Sequence, residues 1–456
     1  MLSHCMKRFR ICCVTRSIQT HTGNRHKTTA CLSEEDPDPT RALLQLCVDG
    51  HYVAPGQVHS DLLQRGMCCN YGPLGLELKT TLLEQWWRSV KRSRSTQVFG
   101  ISTPLQTHHR TSGEEGDPLV VDVKILNQLL LDAEELSKAQ IIQRIQTLLR
   151  LSTSLRTNLL QGALEQYSSW VELVNRRLPF GLAESGLSVQ PLDGSRGEAT
   201  HTSLVWFCSP QSSSQWLDHW TRLRLRWWRK FALAPSEFSS RDVPEKELQG
   251  CASRGVKIVY SFPWGQETLE NLWSLGDSEL LQTYDGVRAK IQCRDGRKLV
   301  IPHVVSVVSN MDRGMMAYMH NSLQLLKKHD GKQKLYQSQR KVLKLHPVLA
   351  PVKVALEMGR GATLELRQVC EGLLQELLEA GVSAWPGYMD TTSSSMEQLN
   401  TKYDQMGVLF TVVIDDKTLE SGLLQVRSRD STVRELKHVS EVTGFVRRYV
   451  RGAHNM

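Results

Sequence analysis

The side chains of this chain best suited to chemistry are clustered cations, and the chemistry they suit is neutralisation of phosphate. Over residues 216–231, Trp216, Trp220, Leu223, Trp227 and Phe231 share one helical face, while Arg222, Arg226, Arg229 and Lys230 lie on another. A second cluster, Lys327, Lys328, Lys332, Lys334, Arg340, Lys341 and Lys344, faces a single acid, Asp330. A third, Arg88, Lys91, Arg92 and Arg94, follows Trp86 and Trp87. Lys and Arg on phosphate oxygens position a nucleic acid without reading its sequence. The competing reading is a solvated face, with the arginines of the first cluster paired to local acids. Trp385 and Tyr388, within 382–390, are the aromatic types that anchor interfaces, or else they are core, since one face of a strand there must be buried. Eleven cysteines are present, adjacent only at Cys12–Cys13 and Cys68–Cys69, and no CxxC spacing occurs. Zinc-ribbon and thioredoxin-like chemistry therefore have no support, and no metal or cofactor is expected.

The chain must build domains large enough to hold these groups. At 456 residues and 40% hydrophobic it can form two or three, and no apolar run approaches a membrane span. Residues 1–33 hold Lys7, Arg8, Arg10, Arg16, Arg25 and Lys27, many hydroxyls and no acid, the composition of a mitochondrial transit peptide. These six charges are most of the net +9, so the remainder is nearly balanced and any nucleic-acid surface must be local. Residues 347–456 carry 12 Lys and Arg against 14 Asp and Glu, which argues against that segment as the main nucleic-acid surface.

Residues 34–346 read as one large α+β unit. Within it, 123–178 is leucine-rich and poor in Gly and Pro, with Ile141, Ile145, Leu148, Leu155, Leu159, Ala163 and Tyr167 at helical spacing. It forms either two helices packed on their own domain or an insertion that packs against a second subunit. Residues 186–197 and 241–255 read as loops, and 327–344 as an exposed connector. From 347, strand and helix patterns alternate: strands near 349–356, 382–385, 409–415 and 423–432, helices over 363–380, 396–406 and 432–450. Gly381 is the expected cap of the first helix. That alternation predicts a mixed or parallel sheet covered by helices.

The run from Arg176 to Leu192, RRLPFGLAESGLSVQPL, resembles the LPFGxAQxG segment before motif 2 of glycyl-tRNA synthetases. NYGPLGLELK at 70–79 resembles their motif 1 region and FPWGQETLENLW at 262–273 their FPWGWGELEG stretch. MDRGMMAYM at 311–319 resembles motif 3. LAPVKVAL, YDQMGVLFTVVID and VRSRDST resemble their anticodon-binding domain. The resemblance implies a class II aminoacyl-tRNA synthetase-like antiparallel-sheet domain over 34–346, with a helical insertion at 123–178. An α/β anticodon-binding-like domain would follow over 347–456. It also shows where the chemistry is missing. Gln190 stands in the place of the arginine that grips the ATP α-phosphate, and Leu192 replaces the glutamate that holds adenine. Ser306 replaces a glutamate facing the glycine amine, Asn310 a motif 3 glycine, and Thr268 an acid; only Arg313 keeps its type. Adenylate formation needs a fixed cation on the phosphoryl oxygens, and losing one such donor costs about 10²–10³ in rate.

A degenerate relative with a transit-type N-terminus resembles one family in particular, the accessory subunits of the mitochondrial DNA polymerase. LVWF (204–207), QWLDHWTRLRLRWWRKFA (215–232), KVLKLHP (341–347) and VSAWPGY (382–388) carry that resemblance. It implies a non-enzymatic homodimer in the mitochondrial matrix and nucleoid. Such a dimer binds the catalytic subunit and primer–template or duplex DNA and raises processivity. The anticodon-binding-like domain would grip the catalytic subunit. The alternatives are a divergent mitochondrial glycyl-tRNA synthetase or a tRNA-binding module.

Overall fold

A computed structural model describes residues 39–54, 65–67, 70–91, 97–107, 119–132, 136–192, 195–327, 339–360, 363–390 and 395–455. The expected transit segment 1–33 lies outside the described residues, as do Arg92, Arg94, Lys328, Lys332 and Lys334. From Pro39 onward the chain packs as one compact unit.

Its centre is a seven-stranded sheet of β1 (Val98–Gly100), β2 (Phe180–Leu192), β3 (Ser195–Cys208), β4 (Phe238–Asp242), β5 (Arg254–Phe262), β6 (Gly265–Gly276) and β7 (His303–Asn310). The spatial order is β1-β2-β3-β7-β6-β5-β4, and every pairing is antiparallel except β1 with β2. The run 204–208 is buried on both faces: Leu204 and Trp206 enter one apolar cluster, Val205 and Phe207 the other. A strand covered on both sides is continuously apolar, and each such Leu, Val or Phe contributes about 1.5–3 kcal/mol.

Helices cover one face. They are α1 (Pro39–Asp49), α2 (Pro73–Lys91), α6 (Ser213–Lys230) and α7 (Met311–Ser322). In α6, Leu217, Trp220, Arg224, Trp227 and Trp228 are buried at three- and four-residue steps, so one stripe packs across β4, β6 and β7. The insertion supplies α3 (Val123–Leu131), α4 (Lys138–Leu151) and α5 (Leu160–Leu173). In α5, Ala163, Leu164, Tyr167 and Val171 close the other face of the sheet, with Tyr167 4.7 Å from the Phe207 ring. The helical spacing across the insertion is thus broken: Leu155 belongs to a strand, Thr153–Leu155, paired to residues 106–107 and 119–120. β-branched and hydroxyl residues at 152–154 favour that extended break between two helices.

The second sheet, β8 (Val354–Met358), β9 (Ala384–Trp385), β10 (Phe410–Ile414), β11 (Leu423–Ser428) and β12 (Arg434–His438), has the order β9-β8-β10-β11-β12. It is mixed: β8 runs parallel to β9 and β10, and the others pair antiparallel. Its longer helices are α8 (Thr363–Glu379), α9 (Met396–Gln405) and α10 (Val439–Asn455). Gly381 takes φ +72° after α8, the left-handed turn expected of it.

Three expectations need correction. Residues 186–192 and 195–197 are hairpin arms of β2 and β3, because pairing across thirteen positions outweighs their loop-like composition. The expected connector 327–344 is bounded by paired strands, Leu323–Lys327 against Gln339–Leu343, while its middle, 328–338, lies outside the described residues. The start of the last expected helix, 434–438, is edge strand β12, recruited by pairing to β11.

Candidate nucleotide cleft and nucleic-acid surface

Residues two apart on a strand share a face, so Glu184, Gly186, Ser188 and Gln190 of β2 look the same way. Register adds His201 and Ser203 of β3, then Ser306, Val308 and Asn310 of β7. This is the face on which the motif comparison puts nucleotide chemistry, and the chain's own groups occupy it. Arg156, just before α5, reaches across β2. Its Nη1 lies 2.9 Å from Glu184 Oε1, and its Nε donates to Leu187 O at 2.7 Å. Thr103 donates its backbone N–H and hydroxyl to the same carboxylate. A Cβ on Gly186 would lie 2.1 Å from Arg156 Nη2, so the guanidinium fits only because position 186 lacks a side chain. Gln190 Nε2 donates to Thr157 O at 3.2 Å, and Ser188 Oγ is 2.8 Å from His201 Nδ1, whose ring burial pushes below the usual imidazole range. Ser306 is buried in mid-strand. Leu192 pairs with Ser195 at the hairpin end.

Arg313 sits in the first turn of α7. Its Nη1 donates to Thr268 O and its Nη2 to Arg65 O, at 2.9 and 2.7 Å, with Glu267 3.7 Å away. Burial lowers its pKa from the ordinary value, and Glu267 opposes that shift. Asn310 caps α7 by accepting from Arg313 N and donates Nδ2 to Gly66 O. Both guanidiniums of the cleft are therefore held by backbone carbonyls and carboxylates of the same chain. The pair Asn310 and Arg313 fastens residues 65–66 to the sheet.

Two buried hubs escaped the sequence reading. Arg224 donates Nε to Glu270, which also accepts from Trp228 Nε1 and Ser309 Oγ at 2.6 and 2.9 Å. Asp312 accepts from Lys79 Nζ, Tyr71 Oη and Thr200 N. The signal for the first was present: Arg224 lies in the tryptophan stripe of α6, and a cation in an apolar stripe needs a buried acid.

The basic candidates separate. Arg222 and Arg226 are exposed on α6, and neither has an internal hydrogen bond or ion pair among the described residues. Arg229 is exposed but donates Nε to Phe238 O, and Lys230 is half-buried with Nζ 2.6 Å from His454 O. Lys341 and Lys344 are half-buried at the paired strands, of which the first ends in Lys327. In the third cluster, Arg88 pairs with Glu84, and Lys91 lies 4.5 Å over the Trp87 ring. Tyr388, 6% exposed, belongs to the core because the turn Gly387–Met389 packs it inward on β8. Trp385 is half-buried and stacks on His51 at 6.4 Å. The two residues do not form an exposed aromatic pair.

No cluster of potential metal ligands occurs among the described residues, and no described helix is long and apolar enough to cross a membrane. Residues 348–449 match the family described as "Anticodon binding domain". Together with the seven-stranded, mostly antiparallel sheet and its motif hairpin, they make this a class II synthetase-like protein carrying an anticodon-binding-type module. The chain is 46% identical to "DNA polymerase subunit gamma-2" of Mus musculus, covering 91% of each chain. It is 46% identical to "DNA polymerase subunit gamma-2, mitochondrial" of Xenopus laevis, over 91% of this chain and 88% of that one. A "Glycine--tRNA ligase" of Deinococcus radiodurans is 23% identical over 84% of this chain and 94% of its own. The chain belongs to the DNA polymerase subunit gamma-2 family.

Proposed function

We propose that this chain is a non-catalytic accessory subunit of the mitochondrial replicative DNA polymerase. In this reading it holds the catalytic subunit and duplex DNA, and so slows departure from primer–template and raises processivity. The observation that carries the reading is the 46% identity spread along nine-tenths of both chains. The cleft supports it. A guanidinium engaged by Glu184, Thr103 and Leu187 O is not available to phosphoryl oxygens, and the positions that would grip ATP hold Gln190 and Leu192.

The reading extends to import through residues 1–33, residence in the matrix and its nucleoids, and a core over 34–346 joined to a C-terminal module over 347–456. It also includes a homodimer. The insertion helices α3 and α4 expose Val123, Leu130 and Leu131 at 64, 62 and 81%, with Ile125, Ile142 and Ile145 beside them. Apolar area of that kind favours a second copy, and symmetric closure makes a dimer the simplest assembly. DNA contacts fall to Arg222, Arg226 and Arg229, with Lys327, Lys341 and Lys344 at the paired strands as a further surface.

The test is primer extension by the mitochondrial catalytic subunit at moderately raised salt, with and without this protein. Longer products per binding event are expected. Unchanged product length with the protein folded would overturn the proposal and return attention to glycine-dependent ATP–pyrophosphate exchange.

A further inference from the structure

We propose that the C-terminal ends of α6 and α10 join into one cationic track that grips the sugar–phosphate backbone of duplex DNA. The inference rests on the reading that the chain binds duplex beside the catalytic subunit, and it assigns that binding to a surface shared by a helix of the central domain and the C-terminal helix.

Three observations converge. The helix ends touch: Lys230 Nζ donates to His454 O at 2.6 Å and lies 3.1 Å from His454 Nδ1. Each helix carries a line of cations running to that contact. Arg222, Arg226 and Lys230 follow four-residue steps on α6, and Arg447 and Arg451 follow one four-residue step on α10 towards His454, with Arg448 alongside. Finally, these arginines are not spent internally. Arg222, Arg226, Arg447, Arg448 and Arg451 are exposed, and no hydrogen bond or ion pair engages their side chains among the described residues. Arg254 and Arg88, by contrast, pair with Asp218 and Glu84.

No acid occurs between residues 219 and 236 or after Glu441, so neither line holds an acid within its own run; the nearby carboxylates come from elsewhere, Asp218 and Asp242 in the cleft that Arg222 lines and Asp430 accepting from Tyr449. At 1.5 Å per residue the two lines have contours of about 12 and 10 Å. Together they match about six base-pair steps of a duplex at 3.4 Å each. Duplex is favoured over an acidic protein because the track exposes no aliphatic side chain between Arg222 and Lys230 or between Arg447 and His454. Protein interfaces shed charge at their centres, whereas DNA interfaces concentrate positive charge. The net charge of residues 347–456 concealed this surface, because their acids all precede residue 442.

The experiment compares the full chain with the triple variant R447Q/R448Q/R451Q and the pair R222Q/R226Q. Binding to a fluorescent duplex is titrated by anisotropy from about 50 to about 200 mM salt, and affinity for the catalytic subunit is measured in parallel. Each lost phosphate contact should flatten the log–log salt slope by about 0.9, so the triple should lower it by about 2–3 and the pair by about 2. Losses should add when the two sets are combined, with catalytic-subunit affinity unchanged. A triple variant that binds duplex with the parental slope overturns the track, even if the pair has an effect. So does a triple that loses the catalytic subunit and keeps DNA, which would assign α10 to an acidic protein surface. Absence of duplex binding by the unaltered chain at the lowest salt would instead remove the accessory reading's DNA contact itself. Thermal melts check that these exposed substitutions leave the fold intact.

Discussion

Arg156 shows how one residue redirects a site. It is buried against Glu184, so neither charge can be removed alone without stranding the other. Breaking a buried pair costs about 3–5 kcal/mol, whereas replacing both partners with apolar groups is often near neutral. Glu184→Leu should therefore destabilise the fold by that amount, and adding Arg156→Met should restore much of it. Chemical denaturation of the single and double variants reads the difference. Equal losses in both would mean that the bonds to Leu187 O and Thr103, rather than the pair, are what matter. Little of this was legible beforehand. The motif register announced that Gln190 and Leu192 could not serve ATP. That Arg156 would be brought over Gly186 depends on a contact between residues thirty apart, which no local pattern encodes.

The elements were read unevenly, for physical reasons. The stripe of α6 was visible as helical periodicity, whereas the strand 204–208, marked beforehand only by its resemblance, owes its continuous apolarity to burial on both faces. β12 and the hairpin arms of β2 and β3 follow from pairing partners distant in sequence, so composition misread them as helix start and loop. The insertion was read as one surface, yet it divides: α5 faces its own core, while α3 and α4 keep exposed apolar residues. The proposed homodimer would use that second half. A Leu130→Glu and Ile145→Glu double variant should shift sedimentation from dimer to monomer while the melting profile of the core survives. A dimer that persists through both changes would place the interface elsewhere.

At the scale of the whole molecule, residues 343–350 between the two sheets are laced down by cations. Lys353 Nζ donates to Val348 O and Ala350 O, and Arg429 donates to Leu343 O, Leu345 O and Gly407 O. Burial lowers Lys353 to about 7, with Arg429 adding to the shift and Glu77 opposing it. Between about pH 7 and its ordinary value of 10.5 the unfolded chain holds a proton that the folded one lacks. Stability therefore rises with pH across that window. His346, lowered to about 4 by burial and nearby cations, acts in the same sense between about pH 4 and 6.5. Lys353→Met removes the first contribution, so the melting temperature of the variant minus that of the parent should fall from pH 7 to pH 9, whatever its sign after loss of the two carbonyl bonds. A gap that stays constant would mean that Lys353 does not titrate in the folded state.

The apolar cluster itself runs without interruption from Leu43 and Trp86 through Leu345 and Val348 to Phe410 and Val446. A domain hung on a flexible tether lets its cargo swing, and every tug is absorbed by slack. Here a tug on the C-terminal sheet is borne by interlocked side chains that continue into the central body. The module is a handle forged in one piece with its blade, and a load on it would meet packed side chains before any slack.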